Sequence, residues 1–123
     1  MMDQTSLQRT SRIYKIVPAP AWAEALEIGF FAGSADDVRD GFIHLSSGLQ
    51  IACTLNTHFA RQKDLLLIAF DIHDLDEFLK WEPSRGGELF PHFYGPLPTK
   101  LARWQQNVTF GADGAAIYDD GTS

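Results

Sequence analysis

The sequence predicts an α+β fold: a single compact domain with a small twisted mixed sheet and two main helices. Residues 12–17, "RIYKIV", alternate in character and are rich in β-branched and aromatic types, which indicates a strand. Residues 64–71, "DLLLIAFD", form an almost continuous apolar run with charged ends, typical of a strand buried on both faces. The second half lacks the regular helices that a doubly wound α/β fold requires.

The first helix is predicted directly after the first strand. Pro20 suits the first turn of a helix, and Gly29 can end one. Trp22, Ala25 and Leu26 fall on one side of this helix, so we expect all three to face the core.

Two serines indicate the start of further helical segments. Ser34 begins "SADDVRDG", which predicts one short helical turn whose acidic residues form a solvated surface. Ser47, with Gln50 three residues later, has the form of a capping box and predicts a second main helix over residues 48–60. Residues 42–46, "FIHLS", are then a strand that leads directly into the start of that helix.

The second half is less regular. Residues 72–81 fit either a helical turn or irregular structure. Residues 82–98 are dense in Gly and Pro, which predicts a loop with at most a short strand near residues 90–94. Residues 100–110 have the pattern of one last strand or helix.

These elements define one domain over residues 12–112. We expect residues 1–11 and 113–123 to be flexible tails, because neither has a periodic apolar pattern. No apolar run is long enough to predict a membrane span.

Composition excludes several functions. The net charge is −6 with scattered basic residues, which argues against binding to nucleic acid or to an anionic membrane. A small anionic ligand stays compatible with this charge. The single cysteine precludes an internal disulfide and fits the cytoplasm. No metal site is predicted, because the acidic and histidine residues at 71–76 lack the close ligand spacing of zinc sites.

The segment "GFIHLSSG", residues 41–48, contains the first candidate site residues. Alternation in a strand places His44 and Ser46 on one face and Ile43 and Leu45 on the other, apolar face. Ser46 and Ser47 lie where a helix begins, and the free N–H groups there favour an anion. The alternative is a histidine that is only hydrogen-bonded within the sheet.

The segment "FPHFYG", residues 90–95, contains the second set. His92 and Tyr94 share a face if the backbone is extended, and they combine a group that exchanges protons near neutral pH with a ring that can stack. The alternative is an aromatic loop that plugs the end of the core.

Charged residues just before this segment complete the candidates. Glu82 or Glu88 can orient a histidine or bind a ribose diol, and Arg85 can hold a phosphate or carboxylate. The alternative is that all three are solvated loop residues.

Taken together, these motifs resemble those of a family of small bacterial proteins, the domain of unknown function 952 family. The matching residues are "IYKI" at 13–16, Trp22, Gly29, "DGFIHLS" at 40–46 and "FPHFYGPL" at 90–97. Membership implies a fold but no established activity.

More distantly, the chain resembles the ADP-ribosyltransferase fold, and within it the RNA 2′-phosphotransferases. This resemblance implies that NAD binds between two small sheets, with Lys15 in the first catalytic-site position and His44 with Ser46 in the second. Tyr14 and Lys15 stand where those enzymes have an Arg-His pair, and the acidic surface argues against an RNA substrate.

The residues and the resemblance together predict a cleft that binds NAD or an ADP-ribose-like nucleotide and transfers or hydrolyses at the ribose. NAD enters as a substrate, and no other cofactor is predicted. The alternative is a non-catalytic binding module for a small anionic metabolite or a partner peptide. The predicted catalytic residues are His44, His92 and Glu82. The predicted ligand-binding residues are Lys15, Ser46, Ser47, Arg85 and Tyr94.

Overall fold

The computed structural model describes residues 12–119. Within them the strands are β1 (Arg12–Pro18), β2 (Phe30–Phe31), β3 (Ile43–His44), β4 (Ser46–Ser47), β5 (Leu65–Asp71), β6 (Leu79–Pro83), β7 (Leu89–Phe93), β8 (Leu97–Pro98), β9 (Trp104–Phe110) and β10 (Ala116–Ile117). The α-helices are α1 (Ala19–Ile28), α2 (Ala35–Asp40), α3 (Ile51–His58) and α4 (Ile72–Leu75). Short 3₁₀ turns occupy Gly48–Gln50, Asp76–Phe78, Arg85–Gly87 and Thr99–Leu101.

The strands form antiparallel sheets, which confirms the α+β class and corrects the predicted single mixed sheet. The largest sheet has the order β10-β9-β5-β1-β4, a second has the order β3-β7-β6, and β2 pairs with β8. Apolar patterns indicate which strands are buried but not in which direction they run, so the sequence could not distinguish antiparallel from mixed pairing.

The central pair of strands, β1 and β5, separates two hydrophobic clusters. Leu65 to Phe70 of β5 are all buried, which confirms that this strand is covered on both faces. Ile13 and Val17 of β1 pack in one cluster, and Tyr14 and Ile16 pack in the other, because alternate side chains point to opposite faces.

Helix α1 covers one of these clusters as the sequence predicts, with one exception. Trp22 and Ala25 are buried, and Gly29 ends the helix with a φ of 106°. Leu26 is 53% exposed, so its predicted core position is wrong. Steps of 100° per residue place Leu26 and Ala25 on opposite flanks of Trp22, and the core covers the Ala25 flank.

The segment "GFIHLSSG" passes from one sheet to another. Ile43 and His44 pair with β7, whereas Ser46 and Ser47 pair with β1. Leu45, between them, is buried and donates its N–H to the carbonyl oxygen of Pro91 at 3.0 Å. This change of sheet at residue 45 was not visible in the alternating pattern.

The predicted start of the second main helix is confirmed. Gln50 Oε1 accepts the N–H of Ser47 at 3.0 Å, as in a capping box. The first turn is 3₁₀, and α3 ends at His58, two residues before the predicted end.

The short strand predicted near residues 90–94 is confirmed as β7, but the loop predicted around it also contains the end of β6 and the short strand β8. Strands β6 and β7 form an antiparallel hairpin in which Trp81 pairs with Pro91. Its turn contains Gly86 and Gly87, both with positive φ. Gly and Pro usually interrupt strands, but here the glycines make the turn, and Pro91 uses its carbonyl oxygen to bond to Leu45.

The boundary predicted at residue 112 lies too early. Strand β9 contains residues 104–110, and Ala116 and Ile117 fold back to pair with it. The predicted tail at residues 1–11, and residues 120–123, lie outside the described residues. No helix within residues 12–119 has the length and apolar character needed to cross a bilayer.

Replacing Trp22 tests the assigned core. Trp22 contacts the Phe31 and Phe70 rings, so we expect Trp22→Ala to lower the free energy of unfolding by about 3–5 kcal/mol. Leu26→Ala, on the exposed side of the same helix, should change it by no more than about 0.5 kcal/mol. Urea unfolding of both variants measures this, and equal losses would contradict the assigned faces of α1.

Candidate functional site

A cavity of about 250 Å³ opens beside the point where the chain changes sheets. Its wall combines residues of β1, α2, β3, β4, α3 and β7. Four predicted site residues line it, namely Lys15, His44, Ser46 and His92. The fold therefore brings both histidine motifs, 48 positions apart in the chain, to one place.

Asp37 is the centre of the hydrogen bonding in this wall, and the sequence analysis missed it. One carboxylate oxygen lies 3.0 Å from Lys15 Nζ and accepts the backbone N–H of Ser34 at 2.8 Å. The other lies 2.6 Å from His44 Nδ1 and accepts the backbone N–H of His44 at 3.0 Å. Asp37 is only 2% exposed, so the prediction that the acidic residues of this segment are solvated is wrong for it.

Local structure explains how Asp37 reaches this position. Ser34 caps α2 and receives the N–H of Asp37, so the two residues form a reciprocal capping box. Gly41 ends α2 with a φ of 85°, which lets the chain return toward Asp37. Gly33 has a φ of 119°, and a Cβ there would lie 2.8 Å from Asp37 Cβ, so this close approach requires glycine.

Lys15 is the partner of Asp37 rather than a free cation. Its side chain lies on the Ile13–Val17 face of β1, and its Nζ also donates to the carbonyl oxygen of His44 at 3.0 Å. Burial lowers the pKa of Lys15, although the Asp37 charge opposes this effect. Burial also disfavours the Asp37 charge, but hydrogen bonds from His44, the Lys15 charge and backbone N–H groups together hold the pKa of Asp37 well below its usual value.

His44 lies between two carboxylates. Its Nδ1 contacts Asp37, and its Nε2 lies 3.0 Å from Asp40 Oδ2. Arg39 donates to Asp40 at 3.0 Å, and this bond lowers the pKa of Asp40. Carboxylates only accept hydrogen bonds, so both contacts are satisfied together when both ring nitrogens carry a proton. The His44 side chain is 34% exposed and stays accessible from the cavity.

His92 has a different arrangement, with one carboxylate and one free nitrogen. Its Nδ1 lies 2.8 Å from Glu82 Oε1, and the Tyr94 hydroxyl donates to the same oxygen at 2.7 Å. These two bonds, that of Tyr94 foremost, lower the pKa of Glu82, and the bond to Glu82 raises the pKa of Tyr94. His92 Nε2 is buried and has no hydrogen-bond partner among residues 12–119. With Nδ1 donating to Glu82, the neutral ring presents Nε2 as an acceptor.

Phe42 holds the two histidine rings against each other. Its ring stacks on His92 at a centroid distance of 4.0 Å and contacts His44 at 4.7 Å. The two imidazole centroids are 5.6 Å apart and nearly perpendicular. A group bound at this edge of the cavity can therefore contact both rings.

The other predicted residues lie in different places. Ser46 is buried, and its hydroxyl bonds to Thr54 Oγ1 at 3.1 Å. Ser47 and Tyr94 are not part of the cavity wall, and the Tyr94 ring instead lies under Lys80 Nζ at 5.1 Å. The structure describes the backbone of Arg85 but not its side chain, so its predicted contact with a ligand lies outside the described residues.

Two sequence signals could have identified Asp37. Lys15 lies between Ile13 and Val17 in a buried strand, and a lysine in that position requires a buried anion. The spacing Ser34-x-x-Asp37 is a capping-box pattern that brings the carboxylate back toward the chain. Neither signal specifies which carboxylate meets Lys15, because these residues are 22 positions apart.

The protein is thus an α+β domain in which residues of both histidine motifs line one cavity. The chain belongs to the family described as protein of unknown function (DUF952), whose model matches residues 16–104 and which the sequence motifs indicated. No curated protein is significantly similar to it.

Solved structures of a relative support the fold. The chain is similar to the crystal structure of protein CC0527 from Caulobacter crescentus, with 43% identity and a TM-score of 0.82 over 86% of this chain and 93% of that one. It is also similar to the solution NMR structure of CC0527, with 44% identity and a TM-score of 0.78 over 85% of this chain and 90% of that one.

Removing the Asp37 charge tests its structural role. Asp37→Asn leaves Lys15 buried beside a neutral group, so we expect a loss of about 3–5 kcal/mol in the free energy of unfolding. Asp36→Asn is the matched control, because Asp36 pairs with Arg39 on the surface, where a pair contributes about 0–1 kcal/mol. Similar losses in the two variants, measured by urea unfolding, would contradict this role.

The same carboxylate predicts a loss of stability in acid. The Asp37 pKa is lower in the folded protein than the roughly 3.9 of an unfolded chain, so its contribution is complete above that value and declines as pH falls below it. We expect the free energy of unfolding to decrease as pH falls below about 4 while the ¹³C resonance of the Asp37 carboxyl stays that of the ionised form. Protonation of the folded-state carboxyl near pH 4 would refute this assignment.

Proposed function

We propose that the cavity binds the ribosyl end of NAD or of an ADP-ribose-like nucleotide and that its two histidines assist transfer or hydrolysis at the ribose. The observation that carries this proposal is the Glu82–His92 pair beside His44. Glu82 orients His92 through Nδ1, which leaves Nε2 as an unpaired base. A carboxylate that orients an imidazole in this way is a recurrent arrangement in general acid–base catalysis.

In the proposed reaction His92 accepts one proton. The bond between the ribose carbon and the nicotinamide nitrogen breaks, and its electron pair neutralises the nicotinamide ring. Water or an acceptor hydroxyl forms a new bond to the same carbon, and its proton passes to His92 Nε2. The Glu82 carboxylate, 2.8 Å from Nδ1, then stabilises the imidazolium, which releases the proton to solvent.

Carboxylates around the cavity suit the charge that develops in this reaction. The ribose ring becomes positive as the bond to nicotinamide breaks, and Asp36, Asp37 and Asp40 line the cavity. The sequence offered Glu82 or Glu88 to orient a histidine or to bind a ribose diol, and Glu82 bonds to His92 and Tyr94. Both nitrogens of His44 are held by carboxylates, so this ring contacts the sugar through its face and does not accept its protons.

The size of the cavity limits what it can enclose. Pockets that enclose a drug-sized ligand have volumes of about 300–1,000 Å³. A cavity of about 250 Å³ accommodates one end of a dinucleotide but not the whole molecule. The proposal therefore places the nicotinamide and its ribose inside and the adenylate outside.

The choice of NAD is supported by the distant resemblance to the ADP-ribosyltransferase fold, which implies binding between two small sheets. Here the cavity wall includes residues of the five-stranded and the three-stranded sheet. The proposal includes a transferase-like activity in the cytoplasm, the compartment that a single cysteine fits.

A second function, non-catalytic binding of a metabolite or peptide, is favoured by one observation. His92 Nε2 has almost no exposed surface, so a reacting group reaches it only if the covering side chains move. Binding of NAD or ADP-ribose without release of nicotinamide would support this alternative.

Nicotinamide release separates the two functions. We expect NAD to change the fluorescence of Trp81, which pairs with Pro91 next to His92, and to be cleaved by the wild-type protein. His92→Gln should lower the cleavage rate by about 10²–10⁴-fold, because the proton acceptor is lost. His73→Gln, at an exposed position outside the cavity wall, is the control and should retain the wild-type rate. Absence of both binding and cleavage would refute the proposal.

A further inference from the structure

We infer that the cavity selects a neutral or cationic group rich in hydrogen-bond donors, and that the phosphates of the ligand stay outside it. This inference rests on the proposed function for the ribosyl identity of the ligand. The sequence was compatible with a small anionic ligand. The structure instead favours a ligand group that is neutral or cationic.

The lysine and the arginine of the cavity wall are already engaged by carboxylates. Lys15 Nζ is buried between Asp37 and the carbonyl oxygen of His44. Arg39 makes two bonds to Asp40 and one to Asp36. Binding a phosphate with Lys15 would require breaking its ion pair and would leave Asp37 buried without its cation. The charge of Arg39 is already balanced by Asp36 and Asp40.

His44 offers no donor either. Both ring nitrogens of His44 contact carboxylate oxygens, at 2.6 Å and 3.0 Å. A phosphate next to this ring would compete with Asp37 and Asp40 for the same protons. Like-charge repulsion between the phosphate and the carboxylates would add to that cost.

Two groups of the wall have unused capacity to accept hydrogen bonds. His92 Nε2 is a buried nitrogen with no partner in the part of the chain that the structure describes, and its side chain is only 5% exposed. A buried acceptor that is left unpaired is unfavourable, and a hydroxyl, amide N–H or ammonium of a ligand would satisfy it once the covering side chains move. Asp36 uses one oxygen toward Arg39, and a carboxylate has capacity for about four hydrogen bonds.

Within the proposed class of ligand, one portion matches this wall. The ribose attached to nicotinamide has two free hydroxyls, the carboxamide has an NH₂ group, and the ring is cationic. The phosphates have only acceptors and negative charge. The complementary unit is therefore the riboside, without its phosphate.

Comparing nicotinamide riboside with nicotinamide mononucleotide, which differs by one phosphate, tests the inference by calorimetric titration. We expect the riboside to bind at least as tightly as the mononucleotide, and millimolar inorganic phosphate not to displace it. Arg39→Gln should not weaken the mononucleotide relative to the riboside. Tighter binding of the mononucleotide by about tenfold or more, or displacement by phosphate, would overturn the inference.

A second measurement reports on the acceptor directly. Saturation with the riboside should shift the ¹⁵N resonance of His92 Nε2 as expected for a hydrogen-bonded, unprotonated nitrogen. A resonance typical of a protonated Nε2, or no binding of either compound, would also overturn the inference.

The outcomes for the inference and for the proposed function are distinguishable. Riboside binding with no cleavage of NAD refutes the proposed activity and leaves the ligand chemistry intact. If NAD is cleaved but the mononucleotide binds more tightly than the riboside, the proposed activity is supported. The inferred preference for a group without phosphate is then refuted.

Discussion

The buried ion pair between Lys15 and Asp37 is the contact on which the candidate site depends. β1 is a core strand, and a lysine within it is compatible with the fold only if an anion reaches its Nζ. Asp37 does so and also accepts bonds from Ser34 and from both the backbone and the ring of His44. One carboxylate thus attaches α2 to the central sheet and determines the orientation of the first histidine.

The two histidines differ because their carboxylate partners differ in number. His44 has one at each nitrogen, so its ring is fixed and its protons are engaged. His92 has Glu82 at Nδ1 alone, which leaves Nε2 with an unused lone pair. Phe42 packs against both rings and holds them 5.6 Å apart. The resulting division, one histidine that is fixed by carboxylates and one that can accept a proton, is the basis of the proposed reaction and of the inferred preference for donor-rich ligands.

Short-range patterns predicted the parts of the fold that depend on local physics. Alternating polarity predicted β1, and a continuous apolar run predicted β5. Pro20 and Gly29 indicated where α1 begins and ends. Both histidine segments were identified as candidates, and they line one cavity in the structure. The short strand near residues 90–94 was predicted, but its pairing with β6 in a hairpin was not, because the glycines and Pro91 have the local signature of a loop. What makes this segment a strand is pairing with β3, which lies far from it in the chain.

The sequence by itself determined the class of fold, the family and the residue types available for chemistry, because periodicity and motif spacing are local properties of the chain. Only the tertiary structure decided that the sheets are antiparallel, that the chain changes sheets at Leu45, and that Asp37 is buried against Lys15. Each of these depends on contacts between residues far apart in sequence. Their geometry follows from how the elements pack, and no local pattern specifies it.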